Sequence, residues 1–420
     1  MREMTRISPR LGAGFLPAGL AMTMTVLAST RVAAQAILAP VDTARTEASL
    51  KAVFANDFRV GAALNVDQVY GRDLRGRAIV NRHFNTISPE NLLKWEFAQP
   101  ERGRYAFEAV DRYVELGERG GMFVVGHALV WHNQTPRWVF EDSAGNPVSR
   151  DTLLARLREH IQTVVGRYRG RIGGWDVVNE ALDEDGTLRQ TPWLRIIGPD
   201  YIRLAFQYAH EADPGAELYY NDYSLELPDK RAGAVRLMRE LLAAGVPVTA
   251  IGVQGHFKMD WPTAAAEDST IDAFAALGLK VNITELDIDV LPRRGTSADV
   301  TMRGPEPCDC RMNPYVTGLP DSLQAALAQR YADFFAVYRR HADVIDRVTF
   351  WGVTDFDSWL NNWPVRGRTN HPLLFGWRGE TKPAFDAVLR AGQTAAVLTS
   401  PGGESTARSR EEWSAAPLQQ

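Results

Sequence analysis

The 420-residue chain predicts an α/β fold of one architecture, a closed (β/α)8 TIM barrel forming a single catalytic domain, and three observations carry that expectation. Short β-branched or aromatic runs alternate with longer amphipathic segments, the order that builds a parallel sheet through crossover helices. Eight such runs occur with no break in composition between the halves, which favours closure over an open doubly wound sheet. Polar, chemistry-capable residues gather where the runs end, on the rim that holds the site in such barrels.

In chain order the predicted strands are 58–64, 84–88, 122–127, 174–179, 217–222, 250–254, 280–285 and 348–352. Helices follow most of them. The segment 153–168 places Leu153, Leu154, Leu157, Ile161, Val164 and Val165 on one face, the stripe a core-facing helix needs. Segments 201–211, 230–243 and 323–340 repeat the pattern. The longest irregular stretch, 291–320, carries Gly, Pro and both cysteines and is expected to be a loop over the cleft. Glu90, His127, Asn179, Asp222, His256, Glu285 and Asp355 fall at or just after strand ends.

The two ends differ from this core. Residues 1–36 open with Arg2, Arg6 and Arg10, continue through an uncharged stretch, and reach Ala34-Gln35-Ala36, the plan of a cleaved secretory signal. A membrane anchor is the alternative, and Pro17 with the Gly and Thr around it dilutes the apolar run such an anchor needs. The catalytic barrel is expected over 37–395, with a disordered tail over 396–420 that is rich in Ser, Gly, Glu and Arg and has no apolar period. Export implies a secreted protein, periplasmic or extracellular, with no lasting membrane association and a monomer as the default state. The formal charge of −4 becomes more negative once the four arginines and one glutamate of the leader are removed, which argues against nucleic acid as a partner. Cys308-Asp309-Cys310 is too little for a disulfide framework or a structural zinc site, and a strained bridge and two free thiols both remain open.

The chemistry sits at two strand ends. The run Trp175-Asp176-Val177-Val178-Asn179-Glu180 closes on a carboxylate, and Val281-Asn282-Ile283-Thr284-Glu285 repeats the arrangement. A single strand-end glutamate is more often an ion pair or a cap. Two in matching positions supply what glycosidic hydrolysis requires, one carboxyl to protonate the leaving oxygen and one carboxylate at the anomeric carbon. Asn179 offers an amide for a sugar hydroxyl. Glu285 and Asp287 share one strand face, so His256 beside them is placed to hold the carboxylate ionised. Trp131, Trp351 and Trp359 follow the third and eighth strands as candidate stacking platforms among the 11 tryptophans. The stretch around Trp359, Asn361, Asn362, Trp363, Arg366 and His371 is too polar for a buried helix. A metal-dependent site is not expected, because His127 and His132 flank Trp131 rather than joining a carboxylate cluster.

Seven segments occur in one order: SPENLLKWE at 88–96, HALVWHNQTPRW at 127–138, WDVVNEA at 175–181, NDYSLE at 221–226, GVQGH at 252–256, ITELDI at 283–288 and WGVTDFDSW at 351–359. Together the chain from Phe54 to Leu389 resembles the glycoside hydrolase family 10 xylanases. The resemblance implies cleavage of internal β-1,4 links of xylan with retention and no cofactor, Glu180 acting as acid/base and Glu285 as nucleophile. It further implies that Glu90, Asn91 and Lys94 contact the second sugar on the non-reducing side. By the same token His127, Asn179, Gln254, His256 and Trp351 surround the reacting sugar and Trp359 covers it. Trp131 and Gln134 complete that side, and Tyr223 stacks on the leaving-group side. Leu93 stands where methionine is usual, a volume-conserving exchange. Related barrels acting on cellulose or mannan, and a non-catalytic sugar binder, are the rival readings.

Overall fold

A computed structural model of the chain describes residues 48–292 and 310–393. The leader 1–36, Cys308, most of the 291–320 loop and the tail 396–420 lie outside the described residues. Eight parallel strands close into a barrel: β1 Arg59–Leu64, β2 Thr86–Pro89, β3 Phe123–Val130, β4 Gly174–Asn179, β5 Glu217–Asp222, β6 Ala250–Val253, β7 Lys280–Asp289 and β8 Ile345–Phe350. Each pairs with the next, and β1 pairs with β8 to complete the ring, Gly61 opposite Thr349. Gly61 suits this crowded wall because any side chain there would meet the Thr86 backbone at 2.4 Å.

Helices run back outside the strands as the periodicity predicts. Arg150–Arg167 starts at Ser149, whose hydroxyl caps the Thr152 amide, and Asp321–Arg340 buries Phe334, Phe335 and Tyr338 against the sheet. Phe350 stacks on Phe335 with centroids 6.1 Å apart, so β8 turns alternate side chains, Val348 and Phe350, toward the helices. Each large apolar side chain buried there contributes roughly 1.5–3 kcal/mol.

β3 runs on to Val130, and two further strands differ from expectation for physical reasons. β8 begins at Ile345 and ends at Phe350 rather than spanning 348–352, because Asp346 and Arg347 hide its start. Arg347 nevertheless turns inward, 1% exposed, with its guanidinium 4.5 Å from the Tyr219 ring centroid. β7 runs on to Asp289 despite three acidic residues, because a short strand, His256–Lys258, pairs with its far half, His256 opposite Asp287. The barrel interior is consequently polar, with Thr86, Asp176, Asn221, Asn282, Thr284 and Thr349 all buried. No helix among the described residues is long and apolar enough to cross a membrane.

Candidate active site

Glu180 stands one residue past β4, with φ 56° and its amide held by the Asn221 carbonyl at 2.9 Å. The left-handed backbone is costly for a side-chain-bearing residue and swings the carboxylate out over the mouth. There it accepts from three neutral donors: Trp131 Nε1 at 2.8 Å, Gln254 Nε2 at 3.0 Å and Asn179 Nδ2 at 3.2 Å.

Glu285 projects from β7, its own amide bonded to the Gln254 carbonyl at 2.7 Å. Its Oε1 accepts from Asn221 Nδ2 at 2.8 Å and its Oε2 faces His256 Nε2 at 3.2 Å. His256 Nδ1 turns to Asp287 at 3.0 Å, and the other Asp287 oxygen receives Trp359 Nε1 at 2.7 Å. Burial alone would lower the His256 imidazolium, but the Asp287 and Glu285 carboxylates outweigh it and raise the pKa to about 10. Burial likewise works to raise Glu285, and the His256 hydrogen bond, the nearby His127 and His256 charges and the Asn221 amide overcome it, leaving Glu285 below the ordinary carboxyl range.

The remaining predicted residues complete one cleft of about 230 Å³, lined by Glu90, Asn91, Lys94, His127, Trp131, Gln134, Asn179, Glu180, Gln254, His256, Glu285, Trp351 and Trp359. Lys94 Nζ donates to Asn91 at 3.0 Å and lies 4.8 Å from the Trp131 ring centroid. Burial pulls its ammonium below the usual lysine range, against the opposing carboxylates of Glu285, Glu90, Glu180 and Glu96. Burial raises Glu90, with Lys94 resisting and Asp357 adding to the rise. His127 Nδ1 pairs with Asp176 at 2.9 Å, which orients the ring beneath Trp351, 5.3 Å away edge to face. Gln134, at φ 44°, reaches Asn91 and Glu96. Of the polar stretch after β8 only Trp359 enters the cleft. Asn361 binds the Asp355 carbonyl, and His371 binds the Tyr315 carbonyl, so both are spent on holding neighbouring loops.

One stacking expectation is corrected, and two aspartates that fall at or after strand ends as expected lie outside the cleft. Tyr223 is 1% exposed, with Lys230 Nζ 3.4 Å above its ring and its hydroxyl held by Arg189 at 2.5 Å, so it presents no face on which a sugar can stack. Asp222 forms a fully buried pair with Lys230 at 2.7 Å, and Asp355 pairs with Lys382 at 2.9 Å. Both lock strand ends to helices. Conversely, Asn221 was missed. Its Nδ2 also donates to Asn179 Oδ1 at 2.8 Å while its Oδ1 accepts from Thr284, so one amide ties the surroundings of both carboxylates together. Its place in the NDYSLE segment was the available signal. Among the described residues no three His, Cys, Asp or Glu side chains converge as a metal site requires.

Residues 49–391 match the family model for glycosyl hydrolase family 10. The chain belongs to glycosyl hydrolase family 10. It is 43% identical over 347 residues to endo-1,4-β-xylanase A of Xylanibacter ruminicola, covering 83% of this chain and 94% of that one. A solved endoxylanase of the family from a sugarcane soil metagenome superimposes with a TM-score of 0.79 at 42% identity, over 81% of this chain and 99% of that one. An exoglucanase of Acetivibrio thermocellus is 36% identical over 81% of this chain, which spans 29% of that longer protein.

Proposed function

We propose that this family 10 hydrolase is a secreted endo-1,4-β-xylanase that cuts internal bonds of xylan with net retention. The observation that carries the reading is the asymmetry of the two cleft carboxylates: Glu285 is held by an amide and a charged histidine, Glu180 by neutral donors alone. In the first step protonated Glu180 donates to the departing glycosidic oxygen while ionised Glu285 attacks the anomeric carbon and forms a glycosyl-enzyme. Water, deprotonated by Glu180, then releases the sugar and restores Glu285. The chemistry requires no cofactor. A retaining pair stands about 5–5.5 Å apart, against about 6.5–9.5 Å in an inverting enzyme.

Glu90, Asn91 and Lys94 hold the second sugar on the non-reducing side. His127, Asn179, Gln254, His256 and Trp351 surround the reacting sugar, Trp359 covers it, and Trp131 with Gln134 closes the wall. The relatives named as xylanases support xylan as substrate, and the relative named as an exoglucanase makes β-1,4-glucan the reading to exclude. The leader 1–36 directs export, and the mature enzyme acts as a monomer.

Release of reducing ends from xylan, carboxymethylcellulose and β-mannan in parallel, with Glu285→Ala as control, tests substrate and nucleophile together. Strong cleavage of xylan that vanishes in the variant is expected. Preference for another polymer overturns the substrate, and substantial activity in the variant overturns the nucleophile. Proton NMR of the first-formed anomer distinguishes retention from inversion, and N-terminal sequencing of exported protein checks cleavage after residue 36.

A further inference from the structure

The Trp131 indole makes the shortest of the three bonds to Glu180, at 2.8 Å. Yet Trp131 follows β3 at the head of an irregular stretch, 131–136, that no strand or helix holds. The position of its indole therefore depends on what grips this piece of backbone.

Two side chains donate to the Trp131 carbonyl. One is Thr135 Oγ1 at 2.8 Å, within the same stretch, and the other is Trp193 Nε1 at 3.0 Å, from the short helix Pro192–Ile197. An indole N–H can only donate, and this one is spent on that carbonyl. Trp193 is 1% exposed and takes no part in the lining of the catalytic cleft. Its ring meets Phe140 edge to face with centroids 4.8 Å apart and lies 5.6 Å from Trp95, which in turn stacks on His160 at 3.7 Å. Such packing fixes the direction in which the N–H points. The helix beneath it is anchored as well, because Thr191 accepts from the Leu194 amide at 3.3 Å and Pro192 fills the first turn.

Trp193 lies in the segment that leaves β4 at Glu180 and runs to the helix Tyr201–Ala212. The connection thus closes on itself. Glu180 receives the Trp131 indole, and the chain leaving Glu180 comes back to hold the Trp131 carbonyl. One stretch of backbone sets the carboxyl and, through Trp131, the donor that orients it.

We propose that Trp193 is a positioning residue for the acid step: it touches no substrate and, through the Trp131 carbonyl, places the Trp131 indole so that the Glu180 carboxyl points at the departing oxygen. The proposal rests on Glu180 as the proton donor. A displaced carboxyl transfers its proton less well, while a leaving group that needs no proton is indifferent to the displacement.

Two aryl β-xylobiosides test it, a dinitrophenyl glycoside whose leaving group departs unprotonated and a phenyl glycoside whose leaving group does not. Trp193→Phe keeps a ring, removes the N–H and leaves the Trp131 carbonyl its bond from Thr135. It should lower kcat/KM on the phenyl glycoside about fivefold and on the dinitrophenyl glycoside less than about twofold. Thr135→Val, which removes the other donor to the same carbonyl, should give the same pattern and serves if Trp193→Phe does not fold; a thermal melt checks each. A general loss of structure would lower both rates together. Equal losses on the two glycosides, or no loss on either, overturn the positioning role. Glu180→Ala, measured alongside, should show the same selectivity at larger amplitude. Equal losses in that variant overturn the acid/base assignment itself, and the positioning role with it.

Discussion

Two pairs of buried glutamates can be compared among the described residues, and they differ in the groups that face them. Glu180 and Glu285 share a set of donors from Trp131, Asn179, Asn221, Gln254 and His256. Glu226 and Glu267 sit in the helical layer, 3% and 0% exposed, and face each other beside the Tyr338 hydroxyl. Burial raises both carboxyls, Glu267 well above its ordinary range with the Glu226 charge adding to the rise, which favours a proton shared between them. Position in the interior therefore does not ionise Glu285. The donors do, and the contrast separates a reactive carboxylate from a structural acid.

The comparison breaks most sharply at the mouth. Glu285→Ala should lower kcat on xylan by about 10⁵-fold, because no other group in the cleft can take its place at the anomeric carbon. Glu180→Ala should cost about 10²–10⁴-fold, and much less on a dinitrophenyl glycoside whose leaving group needs no proton. Equal losses on both substrates in both variants would erase the distinction between the two residues. A smaller effect is expected of His256→Gln, which keeps a polar contact but removes the charge. Losing a charge-assisted bond of about 1.5–3 kcal/mol corresponds to about 10- to 100-fold in kcat. The acid limb of the kcat/KM profile should also move to higher pH, because Glu285 loses a main cause of its low pKa. An unmoved limb would mean that His256 serves packing alone.

The smallest effect belongs to the proton-sharing pair. A carboxyl whose folded pKa is raised stabilises the fold fully below the unfolded pKa and loses that contribution as pH rises through the folded value. Wild-type stability should thus decline above about pH 4.5 as the shared proton is drawn off. Glu267→Gln needs no such proton, so its melting temperature should change less with pH and exceed the wild type by about 3 °C in alkaline buffer. Parallel curves for the two proteins would show that the pair carries no proton.

The strands and their rim were legible from periodicity, and Asn91, Lys94, Gln134 and Gln254 only from the resemblance to family 10. Runs such as Val177-Val178 ending in Asn179-Glu180 announce a strand and its rim together, so both mouth carboxylates and most of the cleft could be read before the structure. Direction could not be read. Asp222 and Asp355 end or follow strands as the cleft residues do, yet they turn toward Lys230 and Lys382, because a strand end has one side facing the mouth and another facing helices. Tyr223 failed for the same reason. Asn221 and Asp176 were overlooked because a polar residue inside an apolar run reads as an interruption. Here each is buried behind a cleft residue and aims it.

The ring of strands has a consequence for how the enzyme comes into being. β1 and β8 pair although they begin near Arg59 and Ile345, so closure joins segments from nearly opposite ends of the described chain. Such contacts carry the loop-closure cost of a long separation and cannot form until β8 has been synthesised. The cleft wall that carries Trp351 and Trp359 therefore cannot be complete before β8 is in place. A partly synthesised chain can carry Glu180 and even Glu285, yet it has no assembled groove in which to use them, and the hydrolase becomes competent all at once.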